Sequence, residues 1–373
     1  MDGQRQALEL DGGKISPYQL IILTVPTIAA TGLLFLPSLT VALASRDAWV
    51  VPLLSSSFSL AALVPLAWLN RRFPGQTIIQ YAPRVLGSVL GKVLGALVVL
   101  YLIHINAVIT REFSEFVQTA IMPRTPPIAL VVLGVFVAAS AVRNGIEVLA
   151  RVNEWVSPQL FILMFLAIVF VSKDMDVRRV LPFLEHGPGP VLRAALAVGI
   201  WFGEVFVLAF FFPNLNRPER GPRATAWGAA ITALLMTGSS FVALAVLGDL
   251  TAHLEFPVYD MIRFIRAAEF VERIDALVVA FWLGAGMIKM AVFYYAAVLG
   301  LAQLLGLRDY HPLVLPVGAL LAPASMWLFD SSVEMKSFML GAGPIYFLGY
   351  ELLVPWFLLL ADAVFHRRPR TRG

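Results

Sequence analysis

The sequence predicts an all-α integral membrane protein with ten transmembrane helices in two inverted halves of five. Of its 373 residues, 59% are hydrophobic and only 14% are charged, whereas a soluble domain carries about 25% charged residues. Ten apolar runs approach or exceed the length of about 20 residues that a membrane span requires. Two of them, the first and the sixth, are interrupted at corresponding places in the two halves, which predicts discontinuous helices beside a binding site near the middle of the bilayer.

The predicted spans form one transmembrane domain over 1–373 with short tails. An odd number of spans per half inverts the second half relative to the first, so we place repeat one at about 15–172 and repeat two at about 189–365. Length and hydropathy predict spans at roughly 16–43, 48–70, 89–119, 127–142, 153–172, 190–212, 223–248, 272–305, 311–328 and 338–365.

Lys and Arg residues in the loops predict orientation, because short cytoplasmic loops are enriched in them. With the N-terminus inside, the inner segments hold sixteen of these residues and the outer segments nine. We therefore expect both termini in the cytoplasm, with the basic tail HRRPRTRG at an anionic membrane surface. The longer outer loop 250–273 is expected to contain a short amphipathic helix with Val258, Ile262 and Ile265 on one face.

Several kinds of site and function are not expected from this composition. The sequence contains no Cys and five scattered His residues, so we expect no disulfide and no metal site. It has no nucleotide-binding loop, zinc motif or nucleophile elbow, and its GxG spacings lie within spans, where they serve helix packing. We therefore expect no enzymatic activity, no cofactor and no nucleic-acid partner.

The first interrupted span has TVPTIAATG (24–32) at its centre. Pro26 removes a backbone donor, and free backbone groups survive in lipid only where they line a cavity. We expect unwound N–H groups there to face a ligand carboxylate, assisted by the helix dipole. The alternative is a proline kink with threonine hydroxyls bonded back to the helix. The residues predicted to line the site are Thr27, Ala30, Thr31 and Gly32.

The second interrupted span has AVGIWFGE (197–204) at its centre. Its carbonyl groups are candidates to bind a ligand ammonium, and its aromatic rings to shape the side-chain pocket. Glu204 is an ionisable residue near the bilayer centre, which makes it a candidate for ammonium or proton binding. A structural ion pair is the alternative. The predicted ligand-binding residues are Gly199, Trp201, Phe202 and Gly203.

The third span carries polar side chains at helical spacing. Tyr101 and His104 are candidates for a pocket or a water-lined path, and His104 can titrate near neutral pH. We interpret Arg111, Glu112 and Glu115 as a structural network near the outer interface.

Lys289 lies in the middle of the eighth span, where a charged side chain must face protein or water. Gly284 and Gly286 precede it and permit close helix approach. We hypothesise that its partner is Glu204. Glu351, in the tenth span, has no obvious partner in the sequence.

Four segments carry a resemblance to a known family. They are KISPYQLIILTVPTIAATGLLFLPS (14–38), FPGQTIIQYAPRVLG (73–87), RVNEWVSP (151–158) and FVERIDALVVAFW (270–282). Together they resemble the B subunit of the Ger-type nutrient receptors of bacterial spores, over essentially the whole chain. That family belongs to the amino acid–polyamine–organocation superfamily, so the resemblance implies a LeuT-like inverted repeat. It also implies an amino-acid-sensing subunit in the spore inner membrane, with an A-type subunit and a C-type lipoprotein as partners.

Three functions are compatible with the sequence, because a fold does not fix a function. The first is the receptor subunit, which the resemblance favours. The second is a proton-coupled amino-acid transporter with Glu204, His104 or Lys289 as the proton site, and the third is a water or ion conduit in a larger assembly. Small residues at one interruption and bulky ones at the other predict a compact ligand such as alanine.

Overall fold

A computed structural model describes residues 10–263 and 274–365 as a helical bundle, which confirms the all-α fold class. Within these ranges the β-type pairing is limited to an isolated bridge between Ile15 and Leu215. The α-helices are α1 (Pro17–Ala44), α2 (Val51–Arg72), α3 (Ile78–Leu86), α4 (Ser88–Phe116), α5 (Pro127–Arg143), α6 (Gly145–Val171), α7 (Pro188–Gly203), α8 (Gly221–Leu247), α9 (Pro257–Arg263), α10 (Ile274–Leu305), α11 (His311–Trp327), α12 (Ser332–Leu340), α13 (Gly343–Leu348) and α14 (Val354–Phe365).

The two spans predicted to be interrupted lie at the centre of the bundle. In Pro17–Arg72, the segment that includes α1, 94% of the most apolar stretch of 18 residues is buried, and the same fraction is buried in Pro188–Asn214, which includes α7. In Gly145–Asp174 the buried fraction is 33%. α1 packs against α6, α7, α8 and α10. Large apolar side chains such as Phe136 and Trp227 are exposed on the outer helices, as expected for a surface that lipid covers.

The predicted discontinuity of the first span is wrong, because α1 is α-helical throughout. The hydroxyls of Thr24 and Thr27 donate to carbonyls one turn earlier, at 2.8 and 2.7 Å. Threonine hydroxyls and neighbouring helices allow a membrane helix to tolerate a proline such as Pro26. α1 therefore has the alternative arrangement considered above, and it offers no unwound N–H groups to a ligand carboxylate.

The sixth span does change its winding at the predicted place. α7 ends at Gly203, and Glu204–Asn214 forms a 3₁₀ helix of 11 residues, although 3₁₀ runs longer than 3–4 residues are uncommon. The carbonyl of Phe202 accepts a hydrogen bond of 2.6 Å from Ser59 Oγ on α2. Because a change of winding leaves helix carbonyls in need of new partners, this hydroxyl stabilises the junction.

The number of spans stays a prediction. Among the described residues, seven segments are long and apolar enough to cross a membrane, or eight if the pair α11 and α12, bent by 94°, is one span. One of the seven contains both α1 and α2, and α5 is a shorter apolar helix outside this set. The predicted tenth span 338–365 starts too early, since α12 ends at Leu340 and α13 begins at Gly343. The repeat boundaries and the cytoplasmic location of the termini are predictions too.

The amphipathic helix predicted in the loop 250–273 is present as α9. Val258 and Ile262 are buried and Arg263 is exposed. Other parts of the predictions fall outside the residues whose side chains are described, namely Ile265 and the tail 366–373.

Residues 10–16 tie together several helix ends before α1 begins. The Asp11 carboxylate accepts hydrogen bonds from the backbone N–H of Ile146 on α6 and from the hydroxyl of Tyr295 on α10, both at 3.1 Å. The side-chain amide of Asn214, at the end of the 3₁₀ segment, donates to the Asp11 carbonyl at 3.0 Å. This segment therefore closes the end of the bundle at which α1 begins.

We predict that Asp11→Ala lowers the free energy of unfolding by about 1–3 kcal/mol, because partly buried donors on α6 and α10 lose their acceptor. Denaturant titration of the purified protein in detergent measures this change. The control is Asp176→Ala, which removes an exposed acceptor of the Arg178 N–H and should cost less than about 1 kcal/mol. Equal losses in the two variants would contradict the bridging role of Asp11.

Candidate functional site

A buried ion pair lies between α10 and the start of the 3₁₀ segment, against α1. Lys289 Nζ is 2.7 Å from Glu204 Oε2 and 2.9 Å from Thr31 Oγ1. The Lys289 side chain is 0% exposed and that of Glu204 is 5% exposed. The hypothesis that these two residues are partners is therefore confirmed. A pair excluded from water to this degree needs further hydrogen bonds to offset the loss of hydration.

Glycines on α10 bring the lysine to this position. A Cβ at Gly286 would overlap the ring of Phe113 on α4, and a Cβ at Gly284 would lie 3.1 Å from Val156 on α6. The absence of side chains at these two positions lets α10 approach α4 and α6 closely, which confirms the packing role predicted for them. Lys289 can then reach the centre of the bundle.

Thr31 is the hydrogen-bonding centre of the cluster. Its hydroxyl accepts hydrogen bonds from Lys289 Nζ at 2.9 Å and from Trp201 Nε1 at 3.1 Å. Glu112 on α4 lies next to the same side chain. A hydroxyl has two acceptor sites and one donor, so the bonds from Lys289 and Trp201 use its whole acceptor capacity. Thr31 thereby links α1 to α4, α7 and α10.

The sequence-based interpretation of Glu112 is wrong. Arg111 and Glu115 do form a pair, with Nε and Oε2 3.9 Å apart, but Glu112 is buried beside Thr31 and interacts electrostatically with Lys289. Helical spacing contains the signal that could have identified it, because Glu112 follows Val108 by four residues on the apolar face of α4.

A second hydrogen-bonded pair joins α4 to the last span beside the ion pair. The Tyr101 hydroxyl donates to Glu351 Oε1 at 2.8 Å, and this is the partner that the sequence did not reveal. Glu351 belongs to a π turn, Gly349–Leu353, between α13 and α14. A Cβ at Gly203 would overlap Glu351 Oε2, so the glycine allows this carboxyl group to reach the end of α7.

The cluster has more acidic than basic groups. Glu112, Glu204 and Glu351 are all buried, and Lys289 is the one buried Lys or Arg among the described residues. Ionised carboxylates would outnumber the ammonium by two in a medium that penalises unpaired charge. The cluster therefore favours additional positive charge, supplied by protons or by a cationic ligand. No set of three or more His, Asp or Glu residues in the described ranges is placed to hold a metal ion.

Two small cavities adjoin the cluster on the side of α12. One has a volume of about 10 Å³, room for about one water molecule, and is lined by Glu112, Glu204 and aliphatic residues that include Ile105 and Ile200. The other has a similar volume, shares Glu112 and lies against α12. Met339 of α12 lines both cavities. The cluster is therefore closed to anything larger than water in this conformation.

Several predicted site residues come together here. The Gly32 Cα lies beside Trp201, since an added Cβ would be 3.6 Å from Trp201 Cγ. Those in or next to the cluster are Thr31, Gly32, Tyr101, Trp201, Gly203, Glu204 and Lys289. Ligand binding at these residues stays a prediction.

The other predicted site residues make contacts with neighbouring helices or within their own helix. The Thr27 hydroxyl bonds within α1, and the Ala30 carbonyl accepts a hydrogen bond of 2.8 Å from an indole of α10. Gly199 lies against a phenylalanine ring of α2. The Phe202 carbonyl accepts a hydrogen bond from Ser59 of the same helix. The His104 ring packs edge-on against a tyrosine of α13. These five residues therefore surround the cluster without joining it.

We predict that Lys289→Gln and Glu204→Gln are each strongly destabilising and are coupled to each other. Removing one partner of a buried pair costs about 3–5 kcal/mol, since the other charge remains unpaired. The double variant should lose less than the sum of the single losses by at least about 1 kcal/mol. Denaturant titrations of the four proteins in detergent measure the free energy of unfolding.

The matched control is the exposed pair Arg46 and Glu185, whose charged atoms are 3.4 Å apart. The same Gln substitutions there should change the free energy of unfolding by about 0–1 kcal/mol. Additive losses at Lys289 and Glu204 would mean that the two residues do not act as a pair.

Solved structures of transporters share this fold. The chain matches Mhp1, a nucleobase-cation-symport-1 family transporter in a closed conformation with bromovinylhydantoin bound, over 99% of this chain and 85% of the other, with a TM-score of 0.68 and 14% identity. It matches MhsT in complex with L-phenylalanine over 95% and 90%, with a TM-score of 0.69 and 13% identity. These similarities confirm the LeuT-like fold that the sequence predicted.

Sequence relatives lead to the family. The chain is 28% identical to spore germination protein KB of Bacillus subtilis (strain 168) over 98% of both chains. It is 22% identical to spore germination protein A2 of the same organism, over 95% of this chain and 97% of the other. A family model described as spore germination protein matches residues 14–334. The chain is therefore an integral membrane protein that belongs to the spore germination protein family and has the fold of LeuT-like transporters.

Proposed function

We propose that this protein is the nutrient-sensing subunit of a spore germination receptor, and that it binds a small amino acid near the bilayer midplane. Its family membership supports a role in germination, and its fold supports the binding of a small solute. The observation that carries the proposal is the buried cluster around Thr31. In this cluster an ammonium group, an indole N–H and a carboxylate lie close together.

The donors that meet at Thr31 suit the carboxylate of an amino acid. Lys289 Nζ and Trp201 Nε1 both point to the same hydroxyl oxygen. A ligand carboxylate beside this oxygen would accept hydrogen bonds from both donors and from the Thr31 hydroxyl, and the bond from the ammonium would be charge-assisted. The ligand ammonium would lie towards Glu112 and Glu204, where positive charge is favoured. Side chains would thus replace the unwound backbone of α1 that the sequence predicted as the carboxylate site.

The surroundings of the cluster favour a small apolar side chain. The cavity beside Glu204 is lined mainly by apolar residues, and its volume of about 10 Å³ is far below that of an amino acid. Trp201 and Met339 border both small cavities, so they must move when a ligand enters. A small amino acid such as alanine requires less displacement than a bulky one, which supports alanine as the ligand class.

Binding can produce a signal through the ion pair. A ligand ammonium would compete with Lys289 for Glu204, the first residue of the 3₁₀ segment. That segment packs against α2, α8 and α10, so opening the pair would alter several contacts at once. A ligand that binds the open state more tightly shifts the population towards it. The A-type and C-type lipoprotein partners would respond to this shift in the spore inner membrane.

A proton-coupled amino-acid transporter is the second candidate, since the fold is that of solved transporters. Glu204 and Lys289 are placed to exchange protons in such a cycle, whereas His104 packs against α13 and lies apart from them. A water or ion conduit is less favoured, because the cavities beside the cluster are each limited to about one water molecule.

We expect labelled L-alanine to bind saturably to the purified protein, without uptake into proteoliposomes under an imposed proton gradient. Thr31→Val should weaken binding about tenfold or more, the equivalent of one hydrogen bond of about 1.4 kcal/mol. The control is Thr40→Val, at a buried threonine of the same helix whose hydroxyl bonds only within α1.

The outcomes separate the candidate functions. Uptake driven by the proton gradient would establish the transporter instead of the sensor. An unchanged affinity in Thr31→Val would place the ligand elsewhere. If the protein alone does not bind L-alanine, the same assay with the A-type and C-type subunits present decides whether the complex does. Loss of binding in both Thr variants would point to general destabilisation of α1.

A further inference from the structure

Glu351 is a buried carboxyl group that the proposed ligand contacts do not include. It lies in the π turn Gly349–Leu353 and is 0% exposed, and π turns within helices frequently occur at functional sites. Oε1 accepts the hydrogen bond from Tyr101, whereas Oε2 is buried without a hydrogen-bond partner among the described residues. One oxygen of the carboxyl group is therefore stabilised and the other is not.

The charged groups that face Glu351 do not neutralise an ionised carboxylate. Glu204 interacts with it unfavourably, and Lys289 interacts with it favourably. The Lys289 ammonium is already bonded to Glu204 and Thr31. An ionised Glu351 would thus add a further negative charge beside a pair that is already balanced, at a high cost in a water-free interior.

Among the described residues, the other elements packed against the π turn supply no compensating cation, since α13 has no charged side chain and α14 has only the acidic Asp362. Tyr101 on α4 gives one hydrogen bond, and the ring of Tyr350 stacks on it with centroids 4.6 Å apart. Tyr346 packs against both rings. α2, which also contacts the turn, has no charged side chain between Val51 and Asn70.

A proton fits this position better than a metal ion does. In the ranges that the structure describes, no three His, Asp or Glu side chains are arranged to hold a metal ion. A proton needs only one oxygen that lacks a partner, and Glu351 Oε2 is such an oxygen. The Tyr101 hydroxyl can continue to donate to the other oxygen of a neutral carboxyl group.

We propose that Glu351 binds a proton at Oε2 while the Lys289–Glu204 pair is closed, and that it releases this proton to solution when the pair opens. The release step rests on the proposed function, in which a ligand ammonium displaces Lys289 from Glu204. The O–H bond of the Glu351 carboxyl breaks, the proton passes to water, and the Lys289 ammonium, released from Glu204, lies between the ligand carboxylate and the new Glu351 carboxylate.

Gly203 provides the physical link between the two sites. It lies in contact with Glu351 Oε2 and immediately precedes Glu204 in the chain. A change in winding at the end of α7 therefore moves Glu204 and the surface against which Glu351 rests at the same time. The carboxyl groups of Glu204 and Glu351 therefore both depend on the conformation of the end of α7.

Infrared spectroscopy tests the proton site without a ligand, because protonated carboxyl groups absorb apart from carboxylates. At neutral pH, the purified protein should show a protonated carboxyl band, part of which is lost in Glu351→Gln. Glu219→Gln, at an exposed position, should leave the band unchanged. Tyr101→Phe should shift the Glu351 contribution, since it removes the hydrogen bond to Oε1.

A band that is unchanged in Glu351→Gln would overturn the proton site. If that variant does not fold, Tyr101→Phe decides the question, and the absence of any shift would overturn the proposal in the same way.

A pH-sensitive dye in weakly buffered detergent solution tests the release step with L-alanine as the probe. Wild-type protein should release protons on addition of L-alanine, and Glu351→Gln should bind L-alanine with this release lost. Equal release from the two proteins would overturn the coupling. Absence of L-alanine binding by the wild-type protein, both alone and with the A-type and C-type subunits present, would contradict the proposed ligand and with it the release step, whereas the infrared band decides the proton site independently.

Discussion

The ion pair between Lys289 and Glu204 is the interaction on which the rest of this structure depends. Both side chains are almost completely buried, and a charged group in that position is tolerated only with a partner and further hydrogen bonds. Thr31 supplies one of these bonds and connects the pair to Trp201 and Glu112. Four helices therefore have a fixed arrangement around one point, and any ligand that alters the pair must alter that arrangement.

A second constraint is the need to satisfy backbone groups where no water is available. The structure meets it differently in its two central spans. In α1, threonine hydroxyls bond to the helix that carries them, and the helix continues through its prolines. At the end of α7, the winding tightens and Ser59 of α2 bonds the carbonyl of Phe202. The first solution gives a rigid element, and the second gives a junction that depends on a neighbouring helix.

The two ends of the bundle are closed by different means. At the end where α1 begins, Asp11 and Asn214 form a network of hydrogen bonds with α6, α10 and the 3₁₀ segment. On the side of α12, methionine and aromatic side chains cover the cluster, with cavities of about 10 Å³ between them. Breaking a network of hydrogen bonds and displacing flexible apolar side chains require different free energies.

The fold class and the two central spans could be predicted from the sequence, and the pairing of Lys289 with Glu204 could be hypothesised from it. These follow from apolar length and from the rule that a charge in the bilayer needs a partner. The sequence did not determine that α1 is continuous, since a proline surrounded by threonines is compatible with a break or with a bonded helix. That Glu112 and Glu351 join the cluster is evident only from the packing of the helices. Their partners come from helices far away in the chain, and the side-chain volumes at Gly203 and Gly286 set which helices approach closely enough.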